Sequence, residues 1–126
     1  TANITAYYSS DRRLKENIVP IQNALEKVNK ISGVNFDWTE DYIIKQGGED
    51  GYFVRKADVG IIAQEIEAIL PNEISGDDFA EEVIDEENPE NNVTGSTGKS
   101  INVTGIVAHL TKAIQELEAR ITTLEG

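Results

Sequence analysis

Apolar side chains recur along this chain in two periods, and each period predicts a different kind of element. Ile21, Leu25, Val28 and Ile31 are spaced four, three and three residues apart, as on one face of a helix, with Pro20 suited to its first position and Gly33 to its stop. Val34, Phe36 and Trp38 then alternate with Asn35, Asp37 and Thr39, which predicts a half-buried strand covering that helix. Apolar runs at 42–45 and 52–55 flank the Gly-rich stretch 46–51, so a hairpin is expected there. Residues 58–62 predict a further short strand, and Ala63, Ile66, Ile69 and Leu70 return to helical spacing until Pro71 ends the run. Residues 1–9 mix Thr, Asn, Ile and Tyr in partial alternation, as an edge strand or a tail leading from an upstream segment would.

The most regular pattern lies at residues 101–126. Val103, Val107, Leu110, Ile114, Leu117, Ile121 and Leu124 alternate in steps of four and three, a heptad seam with Val107, Ile114 and Ile121 at a and the others at d. A lone helix of this length is marginal in water, so the pattern predicts burial against partner helices, with Arg120 at g able to meet Glu125 at e of a parallel neighbour. The competing reading is an amphipathic helix folded onto its own domain. β-branched residues at a with Leu at d lean towards dimers, whereas Ile106 and Ala113 at g widen the stripe as higher assemblies require, so periodicity alone leaves dimer and trimer open.

Composition narrows the field of functions. The chain has 126 residues, 11 Lys plus Arg against 23 Asp plus Glu, and a net charge of -12. Phosphate backbones and anionic membrane surfaces would be repelled, which argues against nucleic acid and membrane as partners. No apolar run approaches the roughly 18 residues of a membrane span, and no signal peptide opens the chain, so a soluble segment is expected. Without Cys, disulfides and thiolate-held metals are excluded; without Met, even at position 1, the chain reads as a piece of something longer. Residues 77–90 hold eight acids and no base, and 91–100 are rich in Asn, Gly, Ser and Thr, which predicts a solvated loop or hairpin over 77–100. The acidic run lacks the alternating ligands and mid-loop Gly of a calcium loop, so no metal or other cofactor is expected.

Other chemistry is sparse. His109, the single His, falls at heptad position c and is expected on the surface, leaving a His-based triad or zinc site unsupported. Gly95, Ser96, Thr97, Gly98, Lys99 and Ser100 resemble half a phosphate-binding loop, but Val93 stands where that motif needs Gly, and a turn of small residues is the simpler reading. The sequons at Asn3, Asn92 and Asn102 matter only in a eukaryotic secretory pathway. Ser10 with Lys15 remains. A Ser hydroxyl becomes a nucleophile when a base takes its proton, and Lys serves only if desolvation or neighbouring cations such as Arg12 and Arg13 make it neutral. Five residues put the two side chains on different faces of a continuous helix, so the pair requires Ser10 in a turn before the helix and Lys15 folded back. The plainer reading makes Ser10 or Asp11 a helix N-cap and Lys15 a solvated cation.

Three blocks in order carry a family resemblance. Ser10, Asp11, Arg12, Arg13, Leu14, Lys15, Glu16, Asn17 and Ile18 are followed by Ala24, Leu25, Val28, Gly33, Val34, Phe36 and Trp38; then come Gly60 through Glu67 with Leu70 and Pro71, and finally Ile106, Val107, Ala108, Leu110, Ala113, Ile114 and Leu117. Together they resemble the C-terminal intramolecular chaperones of phage tail spikes, tail fibres, neck appendages and endosialidases. The resemblance implies a homotrimer that templates an upstream β-structured stalk or spike and then releases itself by serine-lysine autoproteolysis in the host cytoplasm during phage assembly. It implies Ser10 as nucleophile, Lys15 as general base and cleavage between Ser10 and Asp11; an N-to-O acyl shift at Ser10 would instead break the bond from Ser9 to Ser10. Ile101, Asn102 and Val103 depart from the Val-X-Tyr-like lead usual before the last helix, and the acidic insert is longer than typical. The expected architecture is therefore α+β: a linker at 1–9, a small mixed helix and strand body at 10–100, and a helix at 101–126 forming a parallel trimeric coiled coil. A non-cleaving trimerisation domain that stays attached to its parent is the alternative.

Overall fold

The computed structural model describes residues 9–50 and 54–126. Helices α1 (Ala24–Val28), α2 (Glu40–Lys45), α3 (Ala63–Ile69) and α4 (Val103–Glu125) alternate with strands β1 (Val34–Asp37), β2 (Ala57–Gly60), β3 (Ile74–Ser75) and β4 (Ser100–Ile101). Short 3-10 turns cover Arg12–Leu14, Pro71–Glu73 and Pro89–Asn91. The strands form two antiparallel pairs: β1 with β2, where Val34 faces Gly60 and Asp37 faces Ala57, and β3 with β4, where Ile74 faces Ile101. The mixed body and the long final helix thus match the expected class. None of the helices described is long and apolar enough to cross a membrane. The tail expected over 1–9 falls, apart from Ser9, outside the described residues.

The first helix is shorter than its spacing predicts. Asn23 has φ 56, a left-handed conformation that no helix interior accommodates, so α1 begins at Ala24 and Pro20 lies outside it. Ile21 and Val28 still pack on Ala24 and Leu25, whereas Ile31, past the end of α1, packs instead with the cluster of Ile66, Leu70 and Ile106.

Residues 42–45 are helix, where a hairpin strand was expected. The Thr39 hydroxyl accepts from the Tyr42 N–H at 3.2 Å, Glu40 and Asp41 occupy the first turn and Lys45 the last, each charge favourably placed in the helix dipole. At the far end Gly48 N–H reaches Ile43 O at 2.9 Å and Gly47 N–H reaches Ile44 O at 3.0 Å, with φ 90 and 95 at the two glycines. This Schellman pair terminates a helix and does not reverse a hairpin. Of the second strand expected there, Tyr52 and Phe53 lie outside the described residues, and Val54 and Arg55 are not strand.

Helix α4 joins two small hydrophobic clusters. Ala113 packs with Ala24 and Leu25, and Ile106 packs with Ile66 and Leu70, flanked by Ile31, Ile61, Ile69, Ile74 and Ile101. Ile106, His109, Ala113 and Glu116 form the inward stripe. His109 is consequently buried, not surface as its heptad position suggested, and its Nδ1 lies 2.8 Å from Gly105 O. Position c faces solvent only when the a and d seam is the sole packed face, and here the own-chain contact runs along c and g. The Ile106 and Ala113 that seemed to widen the seam serve this contact instead.

Residues 77–99 double back on themselves through bridges between Ala80 and Ser96 and between Val83 and Val93, and Lys45 of α2 ties them to the body through Glu81 and the Phe79 ring. At the tip of this segment the Asp85 carboxylate accepts N–H groups from Glu87 and Asn88 at 3.1 and 3.0 Å, and the Asn88 bond is the main reason its acidity is strengthened. Part of the acidic run therefore orders its own turn.

Candidate functional site

The sequence around Ser10 folds into one tight turn. Asp11 caps it: its Oδ1 accepts the Arg13 N–H at 2.8 Å, while Leu14 N–H and Lys15 N–H bond to Asp11 O and Arg12 O at 3.0 and 3.1 Å. Of the two cap candidates Asp11 is thus the one used. Lys15 leaves the turn in extended conformation, φ -120 and ψ 146, and its side chain folds back so that Nζ donates to Ser10 Oγ at 2.8 Å. A single turn followed by an extended residue solves the five-residue spacing that a continuous helix could not.

Asp11 is also gripped by Arg13, with Nε at 3.1 Å and Nη2 at 2.8 Å from its two oxygens. That side-chain bond, then the Arg13 backbone N–H, holds the Asp11 carboxyl below its ordinary value, and the carboxylate in turn raises the Arg13 guanidinium. Ser10 and Lys15 are both exposed. An ammonium has only donors, so taking the hydroxyl proton requires the neutral amine. Within the turn Leu14 is 74% exposed, and it belongs to neither hydrophobic cluster among the described residues.

The seam residues lie together on the outer side of α4. Val103, Val107, Leu110, Ile114, Leu117, Ile121 and Leu124 are all exposed, with Ile114 at 67% beside Ala113 at 4%. The helix does fold onto its own domain, but through another stripe, which leaves the heptad face open.

Lys99, the cation of the half-motif for phosphate, is already engaged. It pairs with Glu67 and lies 3.7 Å from Asp78, and the Glu67 bond is the main cause of its raised basicity. Ser100 opens strand β4 where a phosphate loop would open a helix. The segment is structural.

Several working residues escaped sequence reasoning. Glu116 of α4 accepts N–H bonds from Ala24 at 2.9 Å and Leu25 at 3.1 Å, capping α1 where Asn23 supplies no side-chain cap. The Leu25 bond, then the Ala24 bond, lowers the Glu116 carboxyl from its ordinary value. Glu65 likewise holds Ser32 through its N–H at 2.9 Å and its hydroxyl at 3.2 Å, and Trp38 Nε1 donates to Asp58 at 3.0 Å. These contacts join segments distant in sequence, and no local pattern announces them.

Comparison with known proteins places this arrangement in context. Residues 10–75, just over half of the chain, match a peptidase family described as chaperone of endosialidase. The chain is 35% identical over 120 residues to the long tail fiber proteins Gp37 of Enterobacteria phages K3 and T2, covering 95% of itself and 8% and 7% of those proteins. It is 33% identical over 119 residues to the Gp37 of Salmonella phage S16, of which it covers 14%. It therefore spans only a small part of each of these relatives. The matched segment contains the whole turn from Ser10 to Lys15, and the chain belongs to the chaperone of endosialidase family.

Proposed function

We propose that the chain is an intramolecular chaperone that assembles as a homotrimer through the α4 seam, templates folding of a phage tail fibre upstream in the same chain, and releases itself by autoproteolysis at the Ser10 turn. The observation that carries the catalytic part is the 2.8 Å contact from Lys15 Nζ to Ser10 Oγ. For assembly, seven large apolar residues stand exposed along one line of α4, while only eight side chains among the described residues are buried. A chain with so small a core gains most by burying that line against copies of itself.

Chaperoning follows from topology. Interwound fibres rest on contacts distant in sequence and between chains, so bringing three strands into register is slow and entropically costly. A C-terminal unit that associates first raises the effective concentration of the upstream segments and sets their alignment. Relatives that are phage tail fibre proteins fit this reading, which places the work in the host cytoplasm during assembly and the released domain outside the virion.

In the reaction, neutral Lys15 takes the Ser10 hydroxyl proton as Oγ attacks the carbonyl carbon of the bond to be cut. That carbon is the one of Ser10 in a neighbouring copy for cleavage at Ser10–Asp11, or the one of Ser9 in its own chain for an N-to-O acyl shift. The tetrahedral intermediate collapses, the C–N bond breaks, and the leaving amine takes the proton back from the Lys15 ammonium. Water then hydrolyses the ester, regenerating the Ser10 hydroxyl and leaving a carboxylate. Desolvation favours the neutral form of an amine, and the exposed Leu14 of the turn offers apolar surface on which a covering segment could exclude water. The exposure of Lys15 in the single chain favours a second reading, in which the domain trimerises but stays attached.

Intact mass followed over time on the fibre-linked chain separates the two, with Ser10→Ala and Lys15→Ala alongside. A fragment starting at Asp11 in the wild type alone is the expected result. One starting at Ser10 moves the bond to Ser9–Ser10 and keeps the dyad. Uncleaved trimers in all three samples leave only the assembly role.

A further inference from the structure

We propose that Asp11 and Arg13 act as a clamp that positions Lys15 on Ser10 and keeps the Asp11 carboxylate from capturing the Lys15 ammonium, an inference resting on the cleavage reading above. The Asp11 carboxylate belongs to the residue next to the nucleophile and lies in the same 3-10 turn that Lys15 leaves, so a freed Asp11 is an anion that a flexible Lys15 side chain could turn to instead of Ser10. Arg13 occupies it completely on one side, through Nε, Nη2 and the backbone N–H of the same residue. The same three bonds fix the 3-10 turn from which Lys15 folds back. No ion pair of Lys15 is found among the described residues.

Two consequences follow from this geometry. An ion pair between Asp11 and Lys15 would draw Nζ away from Ser10 Oγ, and it would favour the charged amine, which cannot accept the hydroxyl proton. By holding Asp11, Arg13 engages both oxygens of the carboxylate that shares the turn with the pair and offsets its charge. The other charged groups of the turn and its edge are Arg12 and Glu16. No hydrogen bond or ion pair ties Ser10, Lys15 or the turn between them to another element among the described residues. Asp11 and Arg13 are positioning residues, since neither side chain touches the reacting oxygen. An Arg fork suits the task because its planar donors engage both carboxylate oxygens at once, which a Lys in its place would not.

The test uses the full fibre-linked chain as Arg13→Ala, Arg13→Lys and the double variant Asp11→Asn with Arg13→Ala, with cleavage rates measured across pH. Arg13→Ala should cleave a few-fold more slowly near neutrality, with the base-dependent limb moved to higher pH. Arg13→Lys should recover only part of this. The double variant should return the limb to the wild-type position, because Asn can still accept the backbone N–H but carries no charge. Titration of the Lys15 ε-carbon by NMR in a Ser10→Ala background reads the same shift without any cleavage. An unmoved Lys15 titration in Arg13→Ala, or one that stays raised in the double variant, overturns the clamp. The predicted shifts in a wild-type chain that never cleaves overturn the protease reading and leave the clamp standing.

Discussion

The two faces of α4 are built for different partners. The inward stripe of Ile106, His109, Ala113 and Glu116 is short, mixed in character and closed by hydrogen bonds to α1, whereas the outward seam from Val103 to Leu124 is longer, wholly apolar and open. Hydrophobicity alone would assign the stronger face to the chain's own core. The chain does the reverse, folding itself with the weaker stripe and leaving the stronger one exposed, which is the arrangement the proposed assembly needs. Docking through Glu116 and Ala113 also orients the seam, so the two faces are coupled through one rigid element.

The sharpest way to break this division is to charge the outer seam. Ile114→Asp with Leu117→Asp should abolish trimers outright, since each buried Ile or Leu contributes about 1.5–3 kcal/mol and every copy loses both. Because both residues are exposed in the single chain, its circular dichroism in the body should survive. Unaltered trimers in sedimentation would sink the assembly role of the seam.

Truncating the inner stripe should do the opposite. Ile106→Ala removes a buried side chain packed on Ile66 and Leu70, and should cost about 2–5 kcal/mol of own-chain stability in chemical denaturation. Trimers should then disappear only in proportion to the unfolded fraction. Loss of trimers from a chain that remains folded would mean that the inner stripe also belongs to the interface.

Acid should loosen the inner stripe before it touches the seam. Glu116 has its folded carboxyl lowered by the α1 N–H groups, so its contribution is fully present above the unfolded value, near 4.5, and is lost as pH falls through the lower folded one. Denaturation midpoints compared at neutral pH and below 4.5 should fall for the wild type and fall less for Glu116→Gln, which is already without the charge. Equal losses in both would remove Glu116 from its capping role.

How far the sequence could be read follows the same division. The apolar line of α4, strand β1 and helix α3 were legible because each is set by period, whereas spacing alone left Lys15 a solvated cation, and it was the family resemblance that pointed to its contact with Ser10. The α1 start was not legible, since nothing local reveals that Asn23 adopts positive φ while Glu116 supplies the cap from the far end of the chain. Residues 42–45 misled for another reason: Tyr, Ile, Ile is too short a run to separate strand from helix, and the decisive signals were Thr39 before it and the Gly pair after it. His109 was misplaced because a single seam was assumed to be the whole of the helix's packing.

The smallest expected effect tests how the start of α4 is held. A Cβ on Gly105 would collide with Glu73 Oε1, the same oxygen that accepts from Asn102 Nδ2 at 2.9 Å, while Asn102 N–H bonds Glu73 O at 2.7 Å. The obstructing atoms belong to the end of a flexible side chain, so in Gly105→Ala the carboxyl can swing away at the cost of its bond to Asn102, about 0.5–1.5 kcal/mol. Against this, Ala in place of Gly inside a helix gains about 1 kcal/mol. The two nearly cancel, and the net change in unfolding free energy should stay within about 1 kcal/mol, with trimers intact. A loss well beyond that would show that Glu73 is fixed where it stands and that the body, through the turn Pro71–Glu73, sets the angle at which α4 presents its seam.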